Sequence, residues 1–141
     1  MPSAPRCVWM DDGLVASQDA NLHFISAGLH YGISVFEGIR CYATDRGPAI
    51  FRLPEHVDRL LDSANVIGFR DLPWNREQLI SAIDQTVAAN GFGDCYIRPL
   101  IWLDGALQRG SAGRRADAGR IRARLPGVLW MQMSGARHSR G

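Results

Sequence analysis

Leu29-His30-Tyr31-Gly32-Ile33-Ser34-Val35-Phe36-Glu37-Gly38-Ile39-Arg40-Cys41-Tyr42 is the stretch on which the reading of this chain turns. From Ser34 to Tyr42 it is rich in β-branched and aromatic residues, and a strand is expected there. Side chains alternate along a strand, which sends Phe36, Gly38 and Arg40 to one face and Val35, Glu37 and Ile39 to the other. The first face combines an aromatic wall, a gap and a guanidinium. That suits an anionic ligand with an apolar part. The same spacing also describes a core strand carrying a surface Arg–Glu pair, and spacing alone favours this plainer arrangement.

Working outward, Cys7–Met10 is a short apolar run closed by Asp11-Asp12-Gly13, and Leu14–Ala16 is placed to pair back on it as a hairpin. A turn at Asp45-Arg46-Gly47-Pro48 leads to a further strand over Ala49–Leu53. Pro54 then stands at a first helical position, where its missing N–H costs nothing. Val57, Leu60, Leu61 and Ala64 follow with helical spacing, and Gly68 is placed to end that helix. Asn75 and Gln78 form a capping pair for a second helix through about Ala89, with Leu79, Ile80, Ile83 and Val87 on one face and Asn90-Gly91 as its stop. Tyr96–Leu103 reads as another strand, with Pro99 requiring an edge or a bulge. The fold class is α+β: an antiparallel sheet with two helices.

This pattern ends near Leu103. Residues 1–103 hold eight arginines and 12 acidic residues, a net of −4, whereas residues 104–141 hold eight arginines and two acidic residues, a net of +6. Arg, Gly and Ala fill 21 of the last 38 positions, and an unstructured tail is expected there rather than a nucleic-acid patch, since aromatics are not interleaved with the arginines. All 16 basic residues of the 141 are arginine; there is no lysine. That excludes a Schiff-base amine from these residues, and also the lysine of a Walker-type phosphate loop. Cys7, Cys41 and Cys95 are widely spaced and outside any CxxC pattern, so they read as buried or incidental thiols of a reducing compartment. No run approaches membrane-spanning length, no His/Cys/Asp cluster has metal-ligand spacing, and a cytoplasmic location is expected.

The run LHYGISVFEGIRCY resembles the N-terminal signature of the branched-chain aminotransferases, pyridoxal-phosphate enzymes of class IV and fold type IV. The similarity continues through Phe51-Arg52, Glu55-His56, Arg59-Leu60 and Asp62-Ser63-Ala64, and again through Tyr96-Ile97-Arg98-Pro99-Leu100-Ile101. Order and spacing agree over about residues 7–103. The resemblance implies that Arg59 binds the phosphate of pyridoxal phosphate. It implies that Tyr96 and Arg98 line the substrate pocket, the tyrosine near the α-carboxylate and the arginine accepting the side-chain carboxylate of glutamate or 2-oxoglutarate. By the same resemblance Phe36 and Gly38 wall the pocket for the branched side chain, and Tyr31 reaches into the neighbouring subunit's site in a homodimer or larger assembly. Arg40 shares the face of Phe36 and Gly38 and is expected to support the pocket. His30 and His56 are expected to pack or cap.

The reaction so implied moves the amino group of leucine, isoleucine or valine to 2-oxoglutarate, with branched-chain amino acids and 2-oxo acids as partners and neither nucleic acid nor membrane. Such chemistry needs a lysine amine, which in this family lies in a larger C-terminal domain. The expectation is therefore that residues 1–103 are the small N-terminal domain, that residues 104–141 have the composition of a GC-rich coding region read out of frame, and that this fragment alone does not catalyse. The other readings are a non-catalytic remnant that associates with other subunits, and, within the fold, a D-amino acid aminotransferase or aminodeoxychorismate lyase. The YIRPLIW and FEGIRCY matches favour the branched-chain enzyme.

Overall fold

The computed structural model describes residues 5–104 and 122–124. Cys7–Met10 (β1) and Gly13–Ala16 (β2) form the expected antiparallel hairpin, with Met10 opposite Gly13 across a two-residue turn. Asp11 in that turn takes φ 57°, a left-handed conformation that aspartate tolerates better than most residues. Its carbonyl accepts hydrogen bonds from the indole Nε1 of Trp9 at 3.3 Å and of Trp74 at 2.9 Å. The hairpin is thereby tied to a loop 63 residues away in sequence.

A five-residue helix, Ala27–Tyr31 (α1), has no counterpart among the sequence-based expectations. It is too short for a helical period to show. Gly32 closes it at φ 65°. Gly28 lets it lie directly on Trp102, since a Cβ at that position would fall 2.7–3.0 Å from three atoms of the indole side chain.

The strand expected from Ser34 to Tyr42 is two strands, Ser34–Phe36 (β3) and Ile39–Thr44 (β4). Gly47–Ile50 (β5) pairs with β4 across the Asp45-Arg46 turn. It begins and ends earlier than the expected Ala49–Leu53, because Arg52 adopts φ 49° and turns the chain, leaving Leu53 as the first residue of the next helix. Tyr96–Leu103 likewise divides into Cys95–Ile97 (β6) and Leu100–Asp104 (β7). With Arg122–Arg124 (β8), the strands form two three-stranded sheets, ordered β5-β4-β6 and β3-β7-β8, beside the hairpin. Every pairing is antiparallel, as expected; the division into separate sheets is not.

The division has a local cause. Both chain segments change sheet at one place, Glu37-Gly38 on one side and Arg98-Pro99 on the other, and the Glu37 amide donates to the Pro99 carbonyl at 3.0 Å. Pro99 has no N–H to return, so the ladder is interrupted at this corner between the two sheets, although one register holds on both sides, with Phe36 opposite Leu100 and Ile39 opposite Ile97. Beyond Asp104 only the backbone pairing of Arg122–Arg124 with β7 is described. The expectations of an out-of-frame ending and an unstructured tail otherwise lie outside the described residues.

Two helices cover the β5-β4-β6 sheet. Leu53–Val66 (α2) starts with Pro54 in its first turn, and Gly68, at φ 100°, follows its end. Arg76–Asn90 (α3) has the expected capping box: the Asn75 side chain accepts from the Gln78 amide at 2.9 Å, and the Gln78 side chain accepts from the Asn75 amide at 2.8 Å. Val57, Leu60 and Ala64 of α2 and Leu79, Ile83 and Val87 of α3 are buried against Ile39, Cys41, Cys95, Ile97 and Ile101. Ile80, expected on the inner face, is only partly buried; the α3 stripe runs instead through Leu79, Ala82, Ile83, Thr86, Val87 and Asn90. Thr86 satisfies its own hydroxyl by donating to the Ala82 carbonyl at 2.7 Å. Cys41 and Cys95 face each other in register as buried free thiols, and burial pushes both thiols up.

Asn90 is more than a helix stop. Its buried side chain accepts from the amides of Arg6 (2.8 Å) and Cys7 (3.3 Å), and donates to the carbonyls of Cys7 (2.9 Å) and Thr86 (2.8 Å). It clamps β1 to the end of α3. Replacing Asn90 with Ala leaves three backbone groups at the start of β1 without this partner, and a loss of about 1–3 kcal/mol is expected in urea unfolding. A change below about 0.5 kcal/mol would show that water replaces the amide at no cost.

Candidate functional site

The sheet corner gathers the sequence-predicted residues. Phe36 ends β3, Gly38 lies in the junction, and Arg40 stands on β4 opposite Tyr96 of β6. Arg98, in the matching junction before Pro99, places its guanidinium carbon 4.7 Å from the centre of the Phe36 ring and 5.5 Å from that of Tyr96. Its Nη2 donates to the Tyr96 hydroxyl at 3.3 Å. A flat cation over two aromatic faces is held in orientation as well as in place.

Gly38 is required by this arrangement. A Cβ there would collide with the Tyr96 hydroxyl and lie 3.0 Å from the adjoining ring carbon. The missing side chain is the space into which the tyrosine leans. Phe36, Gly38, Tyr96 and Arg98 thus form one cluster, the two segments being brought together by antiparallel pairing. Arg40 shares the face by register, yet it is exposed and has no ion-pair partner among the described residues. Tyr31 stands apart on α1, 66% exposed, with its ring 6.3 Å from that of His30.

Arg59 sits on α2 and does not face solvent alone. Its Nε donates to Glu37 Oε1 at 2.7 Å and its Nη2 to Glu37 Oε2 at 2.6 Å, a side-on fork. His56, one helical turn earlier, has Nδ1 2.9 Å from the same Oε2. An ionised carboxylate only accepts, which assigns the proton to Nδ1. The Arg59 guanidinium holds the Glu37 carboxyl below the usual carboxylate range; His56 acts in the same direction and burial opposes both.

Glu37, which binds both Arg59 and His56, is the residue of this site that the sequence pattern does not single out. The available signal was its alternation onto the inward face with Val35 and Ile39, because an acid among core residues requires a partner. Nothing in the sequence spacing of Arg59 and His56 joins them to residue 37. No group of three metal-ligating side chains occurs among the described residues, and none of the described helices is long and apolar enough to cross a membrane.

Substituting Gly38 with Ala is expected to displace the Tyr96 ring and break its bond to Arg98, at a cost of about 1–3 kcal/mol for overpacking. Tyr96 resonances should shift by NMR while those of the Asn90 clamp stay fixed; an unmoved Tyr96 would contradict the packing described.

Residues 34–120 match the family described as amino-transferase class IV. The chain is 37% identical over 123 residues to the branched-chain-amino-acid aminotransferase of Pseudomonas aeruginosa, covering 87% of this chain and 38% of that protein. It therefore spans about two fifths of that relative's length. Among solved structures, a T.th. branched-chain amino acid aminotransferase with pyridoxamine 5'-phosphate superposes with a TM-score of 0.76 at 38% identity, over 96% of this chain and 43% of that one. The branched-chain aminotransferase of Thermoproteus uzoniensis with norvaline gives a TM-score of 0.74 at 35% identity, over 92% and 41% of the two chains. The family match over residues 34–120, together with the superposition on solved branched-chain aminotransferases, establishes that the chain belongs to the class IV aminotransferases.

Proposed function

We propose that this chain contributes the substrate-facing part of a transamination site for branched-chain amino acids and 2-oxoglutarate. The observation that carries the reading is Arg98, held between Phe36 and Tyr96 over the gap left by Gly38. An enzyme that alternates between an apolar amino acid and a dicarboxylate needs a cation to meet the second carboxylate and an apolar surface that serves when the cation is not engaged. Arg98 supplies the cation. Phe36 supplies the apolar surface, and Tyr96 orients the guanidinium through its hydroxyl.

Arg59 is assigned to the phosphate of pyridoxal phosphate. The donor set fits: the Arg59 side chain is 64% exposed, and its Nη1 makes no hydrogen bond among the described residues. When bound, pyridoxal phosphate supplies the electron sink that lets an amino group pass between an amino acid and a 2-oxo acid. Arg59 would hold phosphate oxygens, and Arg98 would hold the substrate's far carboxylate. Tyr31, exposed on α1, is assigned to a neighbouring subunit's site in a homodimer. Arg40 is assigned a supporting role beside Tyr96. The reading takes residues 1–103 as belonging to the small domain of this fold, to which Asp104 in β7 and the pairing of Arg122–Arg124 with β7 add.

None of the 141 residues is lysine, so this sequence does not itself provide the amine that the chemistry uses. The homogeneous chain is expected to give no exchange between leucine and 2-oxoglutarate. Its binding of 2-oxoglutarate should fall roughly tenfold or more in Arg98→Ala, while binding of the leucine-derived monocarboxylic oxo acid stays nearly constant. Both are read by equilibrium dialysis. Turnover by the pure chain, or equal losses for both oxo acids, would overturn the reading.

A further inference from the structure

Glu37 and Arg59 form an asymmetric pair. The Glu37 side chain is 7% exposed at the sheet corner, whereas the Arg59 side chain it binds is 64% exposed. The backbone of the acid is held in the junction, where the Glu37 amide donates to the Pro99 carbonyl at 3.0 Å. The carboxylate is also held from a second side by the Nδ1–H of His56, at 2.9 Å. The basic end is engaged along one edge only, through Nε and Nη2. Nη1, on the opposite end of the guanidinium, has no hydrogen bond among the described residues.

We propose that Glu37 is a positioning residue for anion recognition: backed by His56, it clamps one edge of Arg59 so that the Nη1 end is presented, already ordered, to a phosphate ester. This rests on the assignment of Arg59 to phosphate. A free arginine loses much of its rotamer freedom when it binds an anion; one already forked onto a buried carboxylate does not. The clamp acts against a cost, since a carboxylate near a phosphate repels it. A carboxylate that merely competed for the guanidinium would have to be released when phosphate arrives. The burial of Glu37 and its second donor from His56 oppose that release, because a buried carboxylate stripped of its partners is strongly disfavoured.

The test uses the full chain with pyridoxal 5'-phosphate, pyridoxal and inorganic phosphate as probes. Binding is followed by fluorescence quenching, and folding of each variant by circular dichroism. Saturable binding of pyridoxal 5'-phosphate, competed by inorganic phosphate, is expected for the unsubstituted chain and is lost in Arg59→Ala. Glu37→Ala should weaken pyridoxal 5'-phosphate roughly threefold to tenfold, the cost of immobilising one long side chain at binding, and leave pyridoxal unchanged. Glu37→Gln keeps one accepting oxygen and should fall between the two. The Arg59 Nε–H resonance should exchange slowly in the unsubstituted chain and in Glu37→Gln, and vanish in Glu37→Ala. Should the alanine variant fail to fold, Glu37→Gln decides: weaker phosphate-dependent binding supports the clamp, and equal or tighter binding overturns it. If Arg59→Ala weakens binding while Glu37→Ala does not, the positioning role is wrong and the phosphate assignment stands. If Arg59→Ala changes nothing, or the unsubstituted chain shows no saturable binding, the assignment of Arg59 itself fails.

Discussion

The burial of one carboxylate constrains how this structure can be assembled. Glu37 lies in a junction between two sheets, on the inward-facing alternation with Val35 and Ile39, where an unpaired charge would cost several kcal/mol. It is accommodated because α2 brings Arg59 and His56 to it from 22 and 19 residues away in sequence. The helix must therefore sit over the corner in one rotation, with Val57, Leu60 and Ala64 directed into the core and Arg59 and His56 directed at the junction. Apolar packing would tolerate some sliding of α2; a two-point fork to a fixed acid does not.

The same corner sets the geometry of the candidate site. Because both β-segments change sheet there, Phe36, Gly38, Tyr96 and Arg98 are brought to one place from two segments about sixty positions apart. Pro99 enforces the break by withholding an N–H, and Gly38 allows Tyr96 to lean across the gap. Arg98 is then oriented by two rings and a hydroxyl rather than by an acid, which leaves its charge available to a carboxylate ligand. Arg59 is the opposite case: its charge is largely offset by Glu37, and its direction is what the protein controls. One corner thus presents two guanidinium groups in different electrostatic states.

Much of this was legible in the sequence, and the remainder was hidden for identifiable reasons. The helices, the Asn75–Gln78 capping box and the hairpin turn follow from local chemistry and appear as expected. That Phe36 and Gly38 share a face follows from alternation, whereas their meeting with Tyr96 and Arg98, and the roles proposed for all four, were suggested by the resemblance of their motifs to one family. The split of Ser34–Tyr42 into two strands was not legible, because its cause is Pro99, a residue of the partner segment. Pro99 announced an irregularity in its own strand, but not that the irregularity would be shared. The burial of Asn90 was masked by its ordinary use as a helix stop. Glu37 was masked by the plain reading of an acid in a strand as a surface residue. In each of these cases the deciding contact spans a long sequence separation, which periodicity does not report.

Whether the Glu37 carboxylate holds this corner together is tested most directly by urea unfolding of the chain and of Glu37→Gln as a function of pH. Arg59 and His56 lower the folded-state pKa of Glu37 below its unfolded value. The stabilisation from the ionised form is then fully present above the ordinary carboxylate range and is lost as pH falls through the lowered folded value. The account predicts that the unsubstituted chain is the more stable protein at neutral pH, by a margin that shrinks steadily as pH falls below about 4. A margin that is absent at neutral pH, or that persists unchanged into acid, would contradict it.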